Sequence, residues 1–348
     1  MTALSQYLPV FIYIAIVSLL AVVITIRDKN AARKNNWRVK ERTLLAISVF
    51  GGSVAMLLTM LAIRHKTRRA KFMVGLPLIV LAQIVLCVFA LNQGLSVSFH
   101  NITTDKITGQ IRLVLVTDLH SCDYGEGQSN LIYAITTEQP DAVMLVGDIF
   151  DDRKPSDNTL QFIEGISRMY PCYYVSGNHD TDDKYKIIAE SYGVAVLEGT
   201  SVFLDVRGEI ISIAGIDDPD VERYANANRI TSRSISYAEQ LRRLEISNDT
   251  AIFTILLSHR PERIDDFLPL KPDIVLSGHA HGGQWRIPFI FENGLLSPNQ
   301  GLFPKYTNGL YTFEETGLIV SRGLARESTV VPRAFNRPEI VVITLGGK

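Results

Sequence analysis

The chain has 348 residues, 47% of them hydrophobic, and a formal net charge of -1. That length accommodates two domains, and three cysteines exclude a disulfide framework. The near-neutral total hides an asymmetry: residues 1–91 carry twelve Lys/Arg against two Asp/Glu, whereas 92–348 carry 23 against 34, a balance that argues against nucleic acid as a partner.

Three uncharged apolar stretches come first, at 8–26, 43–63 and 72–91. Each approaches the ~20 residues needed to cross a hydrocarbon core. The first is a poor signal peptide, because no basic residue precedes it and no small-residue cleavage site follows it. Between them lie two basic loops. One carries Arg27, Lys29, Arg33, Lys34, Arg38, Lys40 and Arg42, the other Arg64, Lys66, Arg68, Arg69 and Lys71. If all three stretches span, one loop violates the positive-inside rule. Gly51-Gly52-Ser53 interrupts the middle stretch, which as a re-entrant hairpin would put both loops in the cytoplasm and everything after Leu91 outside. Three spans with the N-terminus inside give that same placement, and three with it outside put the rest of the chain inside. The expectation is an all-α, multi-pass domain over 1–91 in the cytoplasmic (inner) membrane, with the following domain extracytoplasmic. Trp37-Arg38-Val39, Glu41-Arg42-Thr43-Leu44-Leu45, Gly51-Gly52, Arg64-His65-Lys66-Thr67 and Gly75-Leu76-Pro77 resemble a small bacterial membrane-domain family of unknown function. His65 reads as a solvated loop histidine.

Residues 92–110 read as a polar linker, and 111–348 as the second domain. Short apolar runs at 111–116, 142–146, 172–175, 252–257 and 273–276 each end in a polar loop and predict buried strands. Helical segments are expected at about 129–138, 158–169, 182–192 and 236–246. Later strands near 194–206, 210–214, 318–321 and 339–344 lack helices between them and predict a second sheet packed on the first. The fold class is therefore α/β.

The five strand ends carry Asp118 and His120, Asp148, Asn178 with His179 and Asp180, His259, and His279 with His281. Loops at the carboxyl ends of strands are where α/β sheets bind ligands. Five of the seven histidines fall there. Carboxylate, imidazole and amide oxygen suit Mn, Fe, Zn or a similar divalent ion, and the lack of cysteine excludes a structural Cys zinc site. Asp217-Asp218 reads as a solvated turn. Asn101 and Asn248 begin glycosylation triplets that read as chance matches.

The ordered set Asp118-Leu119-His120, Gly147-Asp148, Gly177-Asn178-His179-Asp180, Ser258-His259 and Gly278-His279-Ala280-His281 resembles the calcineurin-like metallophosphoesterase superfamily. Gly282-Gly283-Gln284-Trp285-Arg286-Ile287-Pro288, Ser321-Arg322-Gly323-Leu324 and Asn336-Arg337-Pro338 are similar to its bacterial membrane-associated branch, which includes UDP-2,3-diacylglucosamine pyrophosphatase-like lipid-precursor enzymes. The resemblance implies a four-layer αββα sandwich and two divalent metal ions. One ion would be held by Asp118, His120 and His281 and the other by Asn178, His259 and His279, with Asp148 bridging. His179 would donate a proton to the leaving group, oriented by Asp118 or Asp180. Asp180 and Asp123 are candidates to orient the imidazoles, and Gly282-Gly283 to admit the phosphate. The expected activity is hydrolysis of a phosphodiester or pyrophosphate, with a lipid-linked or cell-envelope substrate among the candidates. A phosphomonoesterase acting on nucleotide or protein is the alternative, and a non-catalytic membrane module with a regulatory soluble domain is a third.

Overall fold

The computed structural model describes residues 8–222, 235–244, 249–326 and 332–347. Asn248 lies outside them. The chain divides into two compact units, the first ending at Asn92 and the second beginning at Gln93.

The first unit is helical: α1 (Leu8–Arg33), α2 (Glu41–Ile47), α3 (Ser53–Ala62), α4 (Ala70–Met73) and α5 (Gly75–Ala90). Leu8–Arg33, Glu41–Ala62 and Ala70–Ala90 are long and apolar enough to cross a membrane. The middle one is broken. Phe50 leaves helical geometry and Gly51 adopts φ 110°, a value that glycine alone reaches without strain. Such a break frees carbonyls that hydrocarbon cannot satisfy. Here Gln83 on α5 donates to Ser48 O and Val49 O at 2.9 and 2.8 Å, and the Tyr13 hydroxyl donates to Phe50 O at 2.8 Å. His65 is not solvated. It is buried, and its Nε2 lies 2.8 Å from Asp28, which also pairs with Lys66 at 2.8 Å. A buried carboxylate in an apolar bundle needs such partners.

The second unit holds two six-stranded sheets. The first runs β1 (Ser96–Thr103), β14 (Glu339–Gly346), β2 (Gln110–Val116), β3 (Ala142–Val146), β4 (Cys172–Val175), β5 (Ala195–Val196). The second runs β12 (Gly309–Phe313), β13 (Thr316–Val320), β9 (Ile274–Ser277), β8 (Phe253–Ser258), β7 (Glu209–Ile216), β6 (Thr200–Val206). Both faces of each sheet are covered, which is why the central strands read as unbroken apolar runs. Leu113 and Leu115 of β2 pack inward with Ile213, Ile255 and Leu276 of the opposite sheet. Val114 and Val116 point outward against Leu131 and Ile135 of α6 (Ser129–Thr137) and Phe162 and Ile166 of α7 (Asp157–Ser167). On the far side Leu256 and Val275 pack on Tyr237 and Phe267. The layers are thus helix, sheet, sheet, helix. Each fully buried Leu or Ile contributes about 1.5–3 kcal/mol of transfer free energy.

Two expectations change. The linker at 92–110 contains β1, which pairs in parallel with β14. Its alternation of exposed and half-buried residues in a polar-looking stretch is that of an edge strand. The run at 339–344 joins the first sheet, antiparallel to β2, and not the second, and so does the start of the run at 194–206, where β5 pairs with β4.

Candidate active site

The five motif loops leave two sheets, not one. β2, β3 and β4 deliver Asp118, His120, Asp148 and the Asn178–Asp180 turn; β8 and β9 deliver His259, His279 and His281. The loops are tied by backbone bonds: Asp118 N to Gly147 O (3.0 Å), His120 N to Asp148 O (2.9 Å) and Gly278 N to His259 O (3.0 Å). The turns are tight. Asp118, His120, Asp148, His279 and His281 all have φ between 46° and 63°, a region side-chain-bearing residues seldom occupy. Such strain is held by the surrounding structure and concentrates at functional sites. A side chain at Gly177 would meet Asp148 Oδ1 at 2.3 Å, and one at Gly278 would meet Asp118 Oδ2 at 2.6 Å. These motif glycines therefore make room for the carboxylates.

The side chains form three groups, Asp118–His120–His281, Asp148–His259–His279 and His120–Asp151–His179, and within each the candidate ligand atoms lie within 4.8 Å of one another. Asp148 reaches across the first two, its Oδ2 lying 3.4 Å from His120 Nε2 and 3.2 Å from His259 Nε2. His259 Nε2 and His281 Nε2 each lie 3.8 Å from Asp118 Oδ1. All but Asn178 and His179, which are half-buried, are buried.

The donor set fits cations. His120 Nδ1 contacts Asp151 (3.1 Å) and His259 Nδ1 contacts Val146 O (2.9 Å). Those partners are acceptors, so Nδ1 carries the proton and the Nε2 lone pair is left over. His120 Nε2, His259 Nε2 and Asn178 Oδ1 are buried without a hydrogen-bond partner. The electrostatics agree. Burial opposes charge on Asp148, but His259 and His120 outweigh it and hold its carboxyl well below the usual range. Burial likewise opposes charge on His259, yet Asp148 and Asp118 push it up to about 10. The carboxylate pair thus draws positive charge, which a divalent ion supplies by displacing protons. Burial keeps His279 and His281 neutral, as ligation requires, with His259 and Arg333 respectively reinforcing it.

His179 belongs to the third group, its ring centroid 4.9 Å from that of His120. Its side chain is 30% exposed, and its Nδ1 lies 2.7 Å from Asp152 Oδ1. Neither Asp118 nor Asp180 orients it. Asp180 is fully buried and accepts the backbone N–H groups of Asp148, Ile149, Phe150 and Gly177 at 3.2, 2.8, 3.2 and 2.5 Å. Its role is to knit two loops together, and burial, with Asp148 beside it, raises its pKa to about 6. Nor does Asp123 touch an imidazole; it caps Gly125 N within its own loop.

Sequence pattern missed Asp151 and Asp152, although they follow Asp148 on one loop, where they contact His120 Nδ1 and His179 Nδ1. It also missed Asn299, whose amide is 3.1 Å from His279 Nε2, and Arg333, 3.5 Å from His281 Nδ1. Asp217 and Asp218 are buried, not solvated. They pair with Lys186 and Arg260, both at 2.6 Å. Side chains at Gly282 and Gly283 would strike Asn336 and the Asn293 carbonyl.

Residues 111–283 match the family described as calcineurin-like phosphoesterase, and residues 18–72 match a family of unknown function, DUF1294. The chain is 28% identical over 316 residues to a Campylobacter jejuni metallophosphoesterase, Cj0846, covering 85% of this chain and 76% of that one. It is 28% identical over 250 residues to the Bacillus subtilis metallophosphoesterase YkuE (67% and 78% covered), and 26% identical over 264 residues to an Aquifex aeolicus metallophosphoesterase (73% and 93%).

Proposed function

Because residues 111–283 belong to the calcineurin-like phosphoesterases, which are metal-dependent hydrolases of phosphoesters, we propose that this chain hydrolyses phosphodiester or pyrophosphate bonds with two divalent ions, anchored to a membrane. Asp118, His120 and His281 would hold one ion, and Asn178, His259 and His279 the other. Asp148 bridges, and the observation that carries this reading is its single oxygen within 3.4 Å of an imidazole from each group. Ions held there would supply neutralising charge to the ester and a lowered pKa to water. Asp152 fixes the proton of His179 on Nδ1 when the imidazole is neutral. The imidazolium of His179, 30% exposed, would also carry Nε2–H to donate to the departing oxygen. Manganese-loaded protein should turn over bis(p-nitrophenyl) phosphate at least about tenfold faster in kcat/KM than p-nitrophenyl phosphate. A preference for the monoester would replace this reading with a phosphomonoesterase.

We infer also that the middle apolar stretch is a re-entrant hairpin. Asp28, near the end of α1, binds Val39 N (3.0 Å) just before α2, and His65 and Lys66 just after α3. The entry and exit of the stretch are therefore together. Its break, at Phe50, meets Tyr13, fifteen residues earlier on α1, or about 22 Å away along the helix. A spanning helix would have its two ends at opposite ends of α1. With the hairpin on one face, both basic loops share that face, which the positive-inside rule assigns to the cytoplasm. α5 then carries the chain across, so residues after Leu91 emerge outside, among envelope substrates. In a background lacking Cys87, Cys122 and Cys172, an impermeant maleimide should label Asp105→Cys in intact cells, but Arg68→Cys only after permeabilisation. The opposite pattern would place the catalytic residues in the cytoplasm.

A further inference from the structure

Beside the backbone that holds His281 lies a cavity of about 240 Å³, lined by Arg286, Pro288, Phe289, Phe291, Arg322 and Phe335, with the exposed Glu292 at its rim. It shares Phe289, Phe291 and Glu292 with a larger hollow that extends to Phe303. Its walls are continuous with the candidate metal centre. Asn336, next to Phe335, donates to His281 O at 2.7 Å, and Arg333 donates to Arg322 O at 2.7 Å while lying 3.5 Å from His281 Nδ1. From the same loop, Asn299 reaches His279.

The two arginines differ. Arg322 is consumed by an ion pair with Glu339. Arg286 is half-buried, and among the described residues no carboxylate lies within ion-pair distance of its guanidinium. A guanidinium removed from water without a partner is costly, and its planar fork matches phosphate or carboxylate. Around it the loop turns apolar groups outward: Phe289 is 95% exposed, Ile290 68%, Leu302 68% and Phe303 63%. Clustered exposed side chains of this size mark a surface that an apolar ligand covers. One cation set in apolar walls is complementary to a molecule with an acidic head and a hydrocarbon chain.

We propose that this cavity is the subsite for an amphiphilic substrate: Arg286 receives an acidic group of the molecule being cleaved, and Phe289, Phe291, Phe335 and the adjoining Ile290 and Phe303 take its hydrocarbon chain. This rests on the phosphoesterase reading and narrows its substrate to lipid-like phosphoesters.

The test uses the full chain in lipid nanodiscs, with octylphosphonate and ethylphosphonate as probes that share a head and differ in chain. Octylphosphonate should bind at least about tenfold more tightly than ethylphosphonate. Arg286→Gln and Phe289→Ser should each weaken octylphosphonate about tenfold while leaving bis(p-nitrophenyl) phosphate turnover within twofold. Equal affinity for the two probes, or octylphosphonate binding unchanged in both variants, overturns the proposal. So does an equal loss of bis(p-nitrophenyl) phosphate turnover, because the cavity would then act only through the fold. Direct binding keeps the two readings separable: absent hydrolysis with intact, Arg286-dependent binding refutes the phosphoesterase assignment and not the subsite.

Discussion

Asp148→Asn is expected to lower kcat/KM about 10³-fold and to leave fewer than one metal ion per chain where the parent holds two. Asp148 is buried, and its Oδ2 faces imidazoles of both ligand groups. Losing one electrostatic contact to the transition state costs about 2.7–4 kcal/mol, and each 1.36 kcal/mol is tenfold in rate. The substitution is nearly isosteric. An asparagine Oδ1 can still accept the 2.8 Å bond from His179 N, so the loop should keep its shape and the melting temperature should change little. Metal content by elemental analysis and steady-state kinetics after chelation and reloading give the readout. A variant that retains two ions and turnover within tenfold of the parent would remove Asp148 from the bridging position and the binuclear reading with it.

His179→Gln is expected to behave differently, with metal content preserved and kcat reduced about 10²–10⁴-fold, the range of a lost general acid. The side chain is 30% exposed and pairs with Asp152, and the proposed role leaves the unpartnered Nε2 atoms of His120 and His259 to the ions. The loss should grow with the basicity of the leaving group. A p-nitrophenolate departs with little help, whereas an alkoxide needs a proton. Asp152→Asn should cost less, about tenfold, because Asp152 is half exposed and only positions the imidazole. The expected signature is a steeper dependence of rate on leaving-group pKa in both variants. A uniform loss across leaving groups, or loss of metal in His179→Gln, would mean that His179 is a ligand or a structural residue.

These expectations depend on which aspartate faces which imidazole, and there sequence and structure part. The motif residues were legible because each sits where an apolar strand gives way to a polar loop, and strand hydrophobicity is a local signal. Asp151 and Asp152 were not. They are two carboxylates in an ordinary acidic loop, and their work is defined by imidazoles that arrive from elsewhere, His120 from the β2 loop and His179 from the β4 loop. Asp180 was misjudged for the same reason. Its adjacency to His179 in the chain suggested a partnership, but its carboxylate turns back onto four backbone amides. β1 escaped notice because an edge strand, half wet, has a polar composition that resembles a linker.

In the first unit the sequence supplied three apolar lengths and two basic loops without choosing between spanning and re-entry. Length and composition are identical in the two cases. The proposed re-entry rests on the carbonyls at Ser48, Val49 and Phe50, which need Gln83 and Tyr13 as partners, and only packing brings those side chains to the break.

By itself, then, the amino-acid order determined the apolar strands, the break at Gly51 and the identity of the donor atoms, all consequences of local composition and backbone freedom. Tertiary structure decided what those atoms face. Two sheets had to stack before His259 and His279 could meet Asp148, and a hydrogen bond only a few ångströms long between residues over a hundred positions apart leaves no periodic trace in the chain.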